Sequence, residues 1–144
     1  MSRILIRHVA FFAFCAVLMP LSTRAQSLPI DTPLTVNGVE AVCTGIGLDA
    51  RADPRWKSFS LKIEVAGPGG SYLADERVTV SAANNPLLTV TCSAPWLLFR
   101  LPPGRYQVEA AIGSEIVKSA AFVPVEGQGR IILRFGAPES VPAP

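Results

Sequence analysis

Histidine is almost missing from this chain. Its 144 residues hold one, His8. Methionine is confined to Met1 and Met19, and cysteine to Cys15, Cys43 and Cys92. No apolar run reaches the roughly 20 residues that a membrane-spanning helix takes, and basic residues form no cluster. Each absence excludes a class of function. With no histidine beyond position 8, the commonest general base and the commonest metal ligand are lost. Ser-His-Asp and Cys-His catalysis and nearly all zinc sites go with them. Without a basic cluster there is no electrostatic reason to bind nucleic acid or to coat an anionic membrane.

What is present begins with an export pattern. Arg3, Arg7 and His8 form a basic start, Val9 to Met19 is an unbroken apolar run, and Pro20 closes it. Thr23-Arg24-Ala25 then offers small residues at the two positions that a signal peptidase reads. These are the three parts of a secretory signal. Residues 1–25 are therefore expected to be removed, leaving no transmembrane anchor and a protein that folds from about Gln26, in the periplasm or outside the cell. Phe14 stands before Cys15 where lipid attachment needs a small residue, so no lipid anchor is expected there. Of the 13 basic residues, Arg3, Arg7 and Arg24 leave with the signal, whereas all 11 acidic residues stay. The remaining chain is close to neutral. It keeps Cys43 and Cys92, an even pair in an exported protein, for which a disulfide is the expected state and two buried thiols the alternative.

The rest divides into a polar lead over 26–33, a β domain over 34–136 and a flexible Pro-rich tail over 137–144. Ser58 to Val65 alternates most cleanly, with Phe59, Leu61, Ile63 and Val65 on one face and Ser58, Ser60, Lys62 and Glu64 on the other. Period 2 over eight residues marks a half-buried strand. Similar segments run over Val39–Thr44, Arg77–Ala82, Leu87–Ser93, Trp96–Leu101, Tyr106–Ile112, Glu115–Val123 and Arg130–Phe135. Turn signals separate them: Asn37-Gly38, Gly67-Pro68-Gly69-Gly70, Asn84-Asn85-Pro86, Pro102-Pro103-Gly104 and Gly113-Ser114. Cys43 and Cys92 fall on inward faces of different strands. One short helix is conceivable over Asp49–Trp56, weakened by Pro54. The pattern predicts an all-β fold, a single antiparallel β-sandwich of about seven strands.

The segment Leu101-Pro102-Pro103-Gly104-Arg105-Tyr106-Gln107-Val108 resembles the L-x-P-G-x-Y-x-V motif of carboxypeptidase regulatory-like domains. Val78-Thr79-Val80, Leu98-Phe99-Arg100, the strand from Glu115 and the closing Arg130–Phe135 extend the likeness over about Ser58 to Phe135. Ser93-Ala94-Pro95-Trp96 departs from the family's turn, and Cys43 to Trp56 has no counterpart in it. The resemblance implies a transthyretin-like (prealbumin-like) sandwich, with an Ig-like one as the neighbouring alternative. In that frame Leu101, Pro103, Gly104, Tyr106 and Val108 have folding roles. Tyr106 would bury its ring and place its hydroxyl on nearby backbone. Family members are accessory modules beside an enzyme, so the likeness speaks for a fold and not for an activity.

The densest polar segment, Asp49-Ala50-Arg51-Ala52-Asp53-Pro54-Arg55-Trp56, is the candidate recognition loop. Arg and Trp are favoured at binding hot spots, and the alternative is a solvated loop of local Asp–Arg pairs. Trp96, in a very apolar stretch, is either a partner-facing residue or part of a strand buried on both faces. The expected function is a non-enzymatic binding or accessory module with a protein partner in the cell envelope, through Asp49, Arg51, Asp53, Arg55, Trp56 and Trp96. No metal, cofactor or nucleic acid is expected. The runner-up is a small-molecule or glycan binder with Trp56, Tyr72 and Trp96 as an aromatic platform. Weaker alternatives are calcium at Asp49 and Asp53, a carboxylate-only hydrolase using Glu64, Asp75 and Glu76, and edge-to-edge assembly. Gly45-Ile46-Gly47 lacks the Lys-Ser/Thr of a phosphate loop and reads as a bulge or close crossing.

Overall fold

The computed structural model describes residues 24–136. The expected Pro-rich tail, and the expected export signal up to residue 23, lie outside the described residues. Ten strands form: β1 (Gln26–Ser27), β2 (Leu34–Val36), β3 (Val39–Thr44), β4 (Leu61–Ala66), β5 (Glu76–Ala82), β6 (Asn85–Cys92), β7 (Trp96–Arg100), β8 (Gly104–Ile112), β9 (Glu115–Val123) and β10 (Gly129–Arg134). They make two five-stranded sheets, in the orders β1-β6-β5-β8-β9 and β10-β4-β7-β3-β2. The all-β expectation holds. Seven antiparallel strands do not, because β1 runs parallel to β6, and β10 runs parallel to β4. Alternation reports which face a residue occupies, not which strand it pairs with or in which direction. The parallel pair β4–β10 arises because the chain leaves the β8–β9 hairpin and crosses into the other sheet.

Local chemistry sets the turns. Asn37 (φ 50) and Gly38 (φ 80) join β2 to β3 in the left-handed region that such tight hairpins need. The β5–β6 turn falls on Ala83 and Asn84, one residue earlier than the Asn-Asn-Pro signal suggests, and Asn85 and Pro86 enter β6. Pro86 is tolerated there because β1 covers β6 only at Val90 and Thr91, leaving the proline end on an open edge. The Tyr106 hydroxyl donates to the Pro102 carbonyl at 2.7 Å, closing the Pro-Pro-Gly turn against its own strand. Ser60 Oγ both accepts from the Leu101 amide and donates to the Leu101 carbonyl, each at 2.7 Å.

The inward faces share one core. Ile63, Leu97 and Phe99 of one sheet meet Val78, Val80, Leu88, Val90 and Val108 of the other, all buried. The two sheets are also joined covalently. Cys43 on β3 and Cys92 on β6 form a disulfide, with Cα atoms 5.5 Å apart and a sequence separation of 49. Closing a loop of that length removes about 4 kcal/mol of chain entropy from the unfolded state. Cys43→Ser and Cys92→Ser are therefore each expected to destabilise by a similar amount. The double variant should be no worse than either single one, and urea titration of the three proteins measures this. Additive losses would contradict the bond.

One charged side chain breaks the core pattern. Glu76 follows the inward parity of Val78 and Val80 and is wholly buried, and neither carboxyl oxygen has a hydrogen-bond partner among the described residues. Burial, aided by the neighbouring Asp75 charge, pushes its pKa up to about 8. The folded state thus holds a proton that the unfolded chain releases near pH 4.5. Stability from this group is full below that pH and is lost as pH rises to about 8, by on the order of 4 kcal/mol. Glu76→Gln should abolish this slope. Denaturant unfolding at pH 5, 7 and 9 is expected to show the variant gaining on the parent as pH rises, and parallel curves would refute the assignment.

Candidate functional site

The second sheet is apolar on part of its outer face as well. Strand parity turns Val42, Trp96 and Leu98 away from the core, and register sets Val42 beside Leu98 and Leu98 beside Lys62. These three form a separate buried cluster with Trp56 and Phe59. The covering residues come from the segment between β3 and β4. It contains a short helix, α1 (Leu48–Ala52), and a 3-10 turn over Pro54–Ser58. Asp53 separates the two by capping the turn, accepting the Arg55 amide at 2.9 Å. Phe59, expected to start the strand on its core face, instead ends the 3-10 turn and joins the outer cluster.

Three hydrogen bonds fasten this cover. Trp56 Nε1 donates to the Ala50 carbonyl at 2.7 Å, and Gln128 Nε2 donates to the carbonyls of Trp56 and Phe59 at 2.8 and 2.9 Å. Gly45 lets it cross closely. Its φ is +99°, and a Cβ there would stand 2.7 Å from the Trp96 ring. The Gly45-Ile46-Gly47 stretch is thus a close crossing over an indole. Helix α1 itself buries no residue, and Leu48 is 81% exposed with Ile46 at 57% beside it.

Between cover and sheet lies a cleft of about 380 Å³, walled by Arg51, Asp53, Trp56, Lys57, Lys62 and Trp96, with Leu98 and Gln128 completing it. Four of the six residues expected to bind are brought together here: Arg51, Asp53, Trp56 and Trp96. Asp49 and Arg55 do not line the cleft. Asp49 is exposed on α1, and Arg55 stacks over the Trp56 ring at 4.6 Å while binding Asp53 at 2.7 Å. That hydrogen-bonded pairing holds the Asp53 carboxyl below its ordinary range. Lys57, Lys62 and Gln128 join them without being expected from their residue types. Lys62 was legible as a solvent-face residue of the clearest strand, but nothing local showed that residues 45–59 fold back over that face.

Cations sit on every aromatic ring of the expected platform. Lys62 Nζ is 3.1 Å from the Trp96 ring centre, and Arg51 lies 4.4 Å from that of Tyr72, whose edge meets Trp96. Lys62 also pairs with Glu64 at 2.9 Å, and Arg130 grips both Glu64 oxygens at 3.0 and 2.8 Å. Burial pushes the Glu64 pKa up, but hydrogen bonds from Arg130 and Lys62 outweigh it and hold it below the usual carboxylate range. Among the described residues one donor is left over: the Trp96 indole N–H is buried without an acceptor.

The other proposed chemistries do not assemble. Glu64 lies on the outer face of the second sheet and Glu76 inside the core of the first, so they cannot flank one substrate. Among the described residues, no three metal-ligating side chains come together. A larger hollow of about 530 Å³ on the first sheet is lined by residues such as Thr79, Ser81, Gln107 and Lys118. It holds no orphaned buried donor, and its Lys118 is paired with Glu109 at 3.3 Å.

Fold and cleft together define an all-β, two-sheet, disulfide-linked domain with a capped outer face. The chain matches no protein-family model and no curated protein. Gly45→Ala is expected to destabilise by about 2–4 kcal/mol, from the positive φ and the overlap with Trp96 together, and to change the near-ultraviolet circular dichroism of the indole. A variant with unchanged melting temperature and spectrum would show that the crossing is not tight.

Proposed function

We propose that this is an exported, non-enzymatic binding module of the carboxypeptidase regulatory-like, transthyretin-like kind, which engages a protein partner in the cell envelope through the capped face of the second sheet. The observation that carries the reading is Leu48. A large aliphatic side chain stands 81% exposed on a helix that buries nothing, two residues from the exposed Ile46 and on the same helix as Arg51 of the cationic cleft. Exposed apolar side chains grouped on a pinned loop, with arginine and tryptophan next to them, have the composition of a protein-contact patch. The disulfide, and the absence among the described residues of a helix able to cross a membrane, accord with export. The Leu101–Val108 turn, with Tyr106 bonded to Pro102, is the feature that supports the family likeness.

The runner-up, a glycan platform of Trp56, Tyr72 and Trp96, is disfavoured by one observation: cations already occupy a face of each ring. A photo-reactive amino acid at Leu48, with crosslinked products from the native envelope read by mass spectrometry, tests the main reading. One stoichiometric protein product is expected, and with the probe moved to the exposed Ile46, Leu48→Asp should abolish its capture at unchanged melting temperature. Crosslinks no richer than those from a probe at Thr89, on the opposite sheet, would refute it.

A further inference from the structure

We propose that the partner docks through an acidic peptide segment whose carboxylate enters the cleft between Arg51, Lys57 and the Trp96 indole N–H. This rests on the reading of the capped face as the partner surface and names the chemistry that surface takes.

The cleft is rich in donors and poor in free acceptors. Asp53, its one acidic wall residue, is held by the Arg55 guanidinium and amide. Lys62 is paired with Glu64. Arg51 and Lys57 have no carboxylate partner among the described residues. Arg51 is nevertheless positioned: its Nε donates to the Gly45 carbonyl at 2.8 Å and its plane lies over Tyr72. Its terminal amino groups remain available for a planar oxyanion, the geometry in which guanidinium binds most strongly. A cation oriented without being neutralised fits a site awaiting an anion.

Trp96 supplies an independent observation. The residue is 7% exposed, it walls this same cleft, and its N–H lacks an acceptor. A buried unpaired donor is destabilising, and a carboxylate oxygen would relieve that cost. A peptide is favoured over a free anion or an acidic sugar by the rim. Leu48, one turn before Arg51 on α1, and Ile46 offer exposed aliphatic anchors, whereas Trp56 and Trp96 are buried and Arg51 lies over the Tyr72 ring, leaving no open platform for a sugar.

The test uses the two tryptophans as reporters in nitrogen-15-labelled full domain. Trp56 donates to Ala50 and serves as the comparison, and Trp96 is the probe. Three compounds are titrated: an acetylated and amidated hexapeptide of alternating leucine and glutamate, its glutamine counterpart, and sodium glucuronate. The glutamate peptide is expected to shift the Trp96 indole resonance saturably and by more than that of Trp56, which also walls the cleft but keeps its Ala50 acceptor. The glutamine peptide should bind at least about tenfold more weakly, a difference of about 1.4 kcal/mol. Lys57→Gln, which removes no internal ion pair, should weaken the glutamate peptide severalfold at unchanged melting temperature, and added salt should do the same. Equal binding of both peptides would overturn the anion requirement. Glucuronate binding as well as the peptide would overturn the peptide assignment in favour of acidic sugars. No shift with any probe would overturn the proposal outright. In that case, crosslinks persisting at Leu48 would leave the partner surface standing, and their absence would remove both.

Discussion

Trp96 and Leu98 point away from the core of a sheet whose outer face would otherwise meet water, and burying them determines how the chain runs between β3 and β4. Strand β7 is central, with β3 on one side and β4 on the other. Its alternate residues Leu97 and Phe99 are spent on the inter-sheet core. The outward pair needs its own cover, and burying two such side chains is worth about 2–3 kcal/mol each. Residues 45–59 supply it, folded flat by Gly45 at one end and by Gln128 holding the 3-10 turn at the other. The cover is a short helix and a turn rather than a further strand because Pro54 cannot donate to a ladder and Asp53 caps the turn that follows.

Charge completes what the apolar cover leaves open. Glu64 emerges beside Trp96 on the same outer face and is almost buried, a position that a carboxylate keeps only with strong partners. Arg130 from the parallel neighbour β10 and Lys62 from its own strand provide them. The parallel pairing of β10 therefore matters to the site: it brings Arg130 into the row that holds Lys62, adjacent to Glu64. Lys62, drawn to Glu64, then lies over Trp96. The cleft is the space left where these commitments meet, and its unpaired groups are those that no internal partner reaches.

Much of this was legible in the sequence. The alternation of β4, β5, β8 and β10, the hairpin at Asn37-Gly38, the Tyr106 anchor and the inward parity of both cysteines follow from period and turn chemistry, which act over a few residues. Arg51, Asp53, Trp56 and Trp96 were nominated because of their residue types, and the fold brings them to one cleft. Phe59 was misassigned because period 2 continued backwards through Ser58 and Phe59 into a turn, where alternation has no meaning. Asp49 and Arg55 share the composition of the loop but not its geometry. Lys57, Lys62 and Gln128 come from three places in the chain and carried no common signal.

The residues by themselves determined most of the strands, the inward or outward face of their central positions and the chemistries that lack their side chains, because these depend on local period, backbone preference and composition. Strand direction and sheet membership were decided only in three dimensions, as were the meeting of Lys57, Lys62 and Gln128 around Trp96 and the unpaired state of its N–H. Each of those depends on which distant segment must cover which exposed apolar surface, a balance of burial energies across the whole chain that no window of sequence contains.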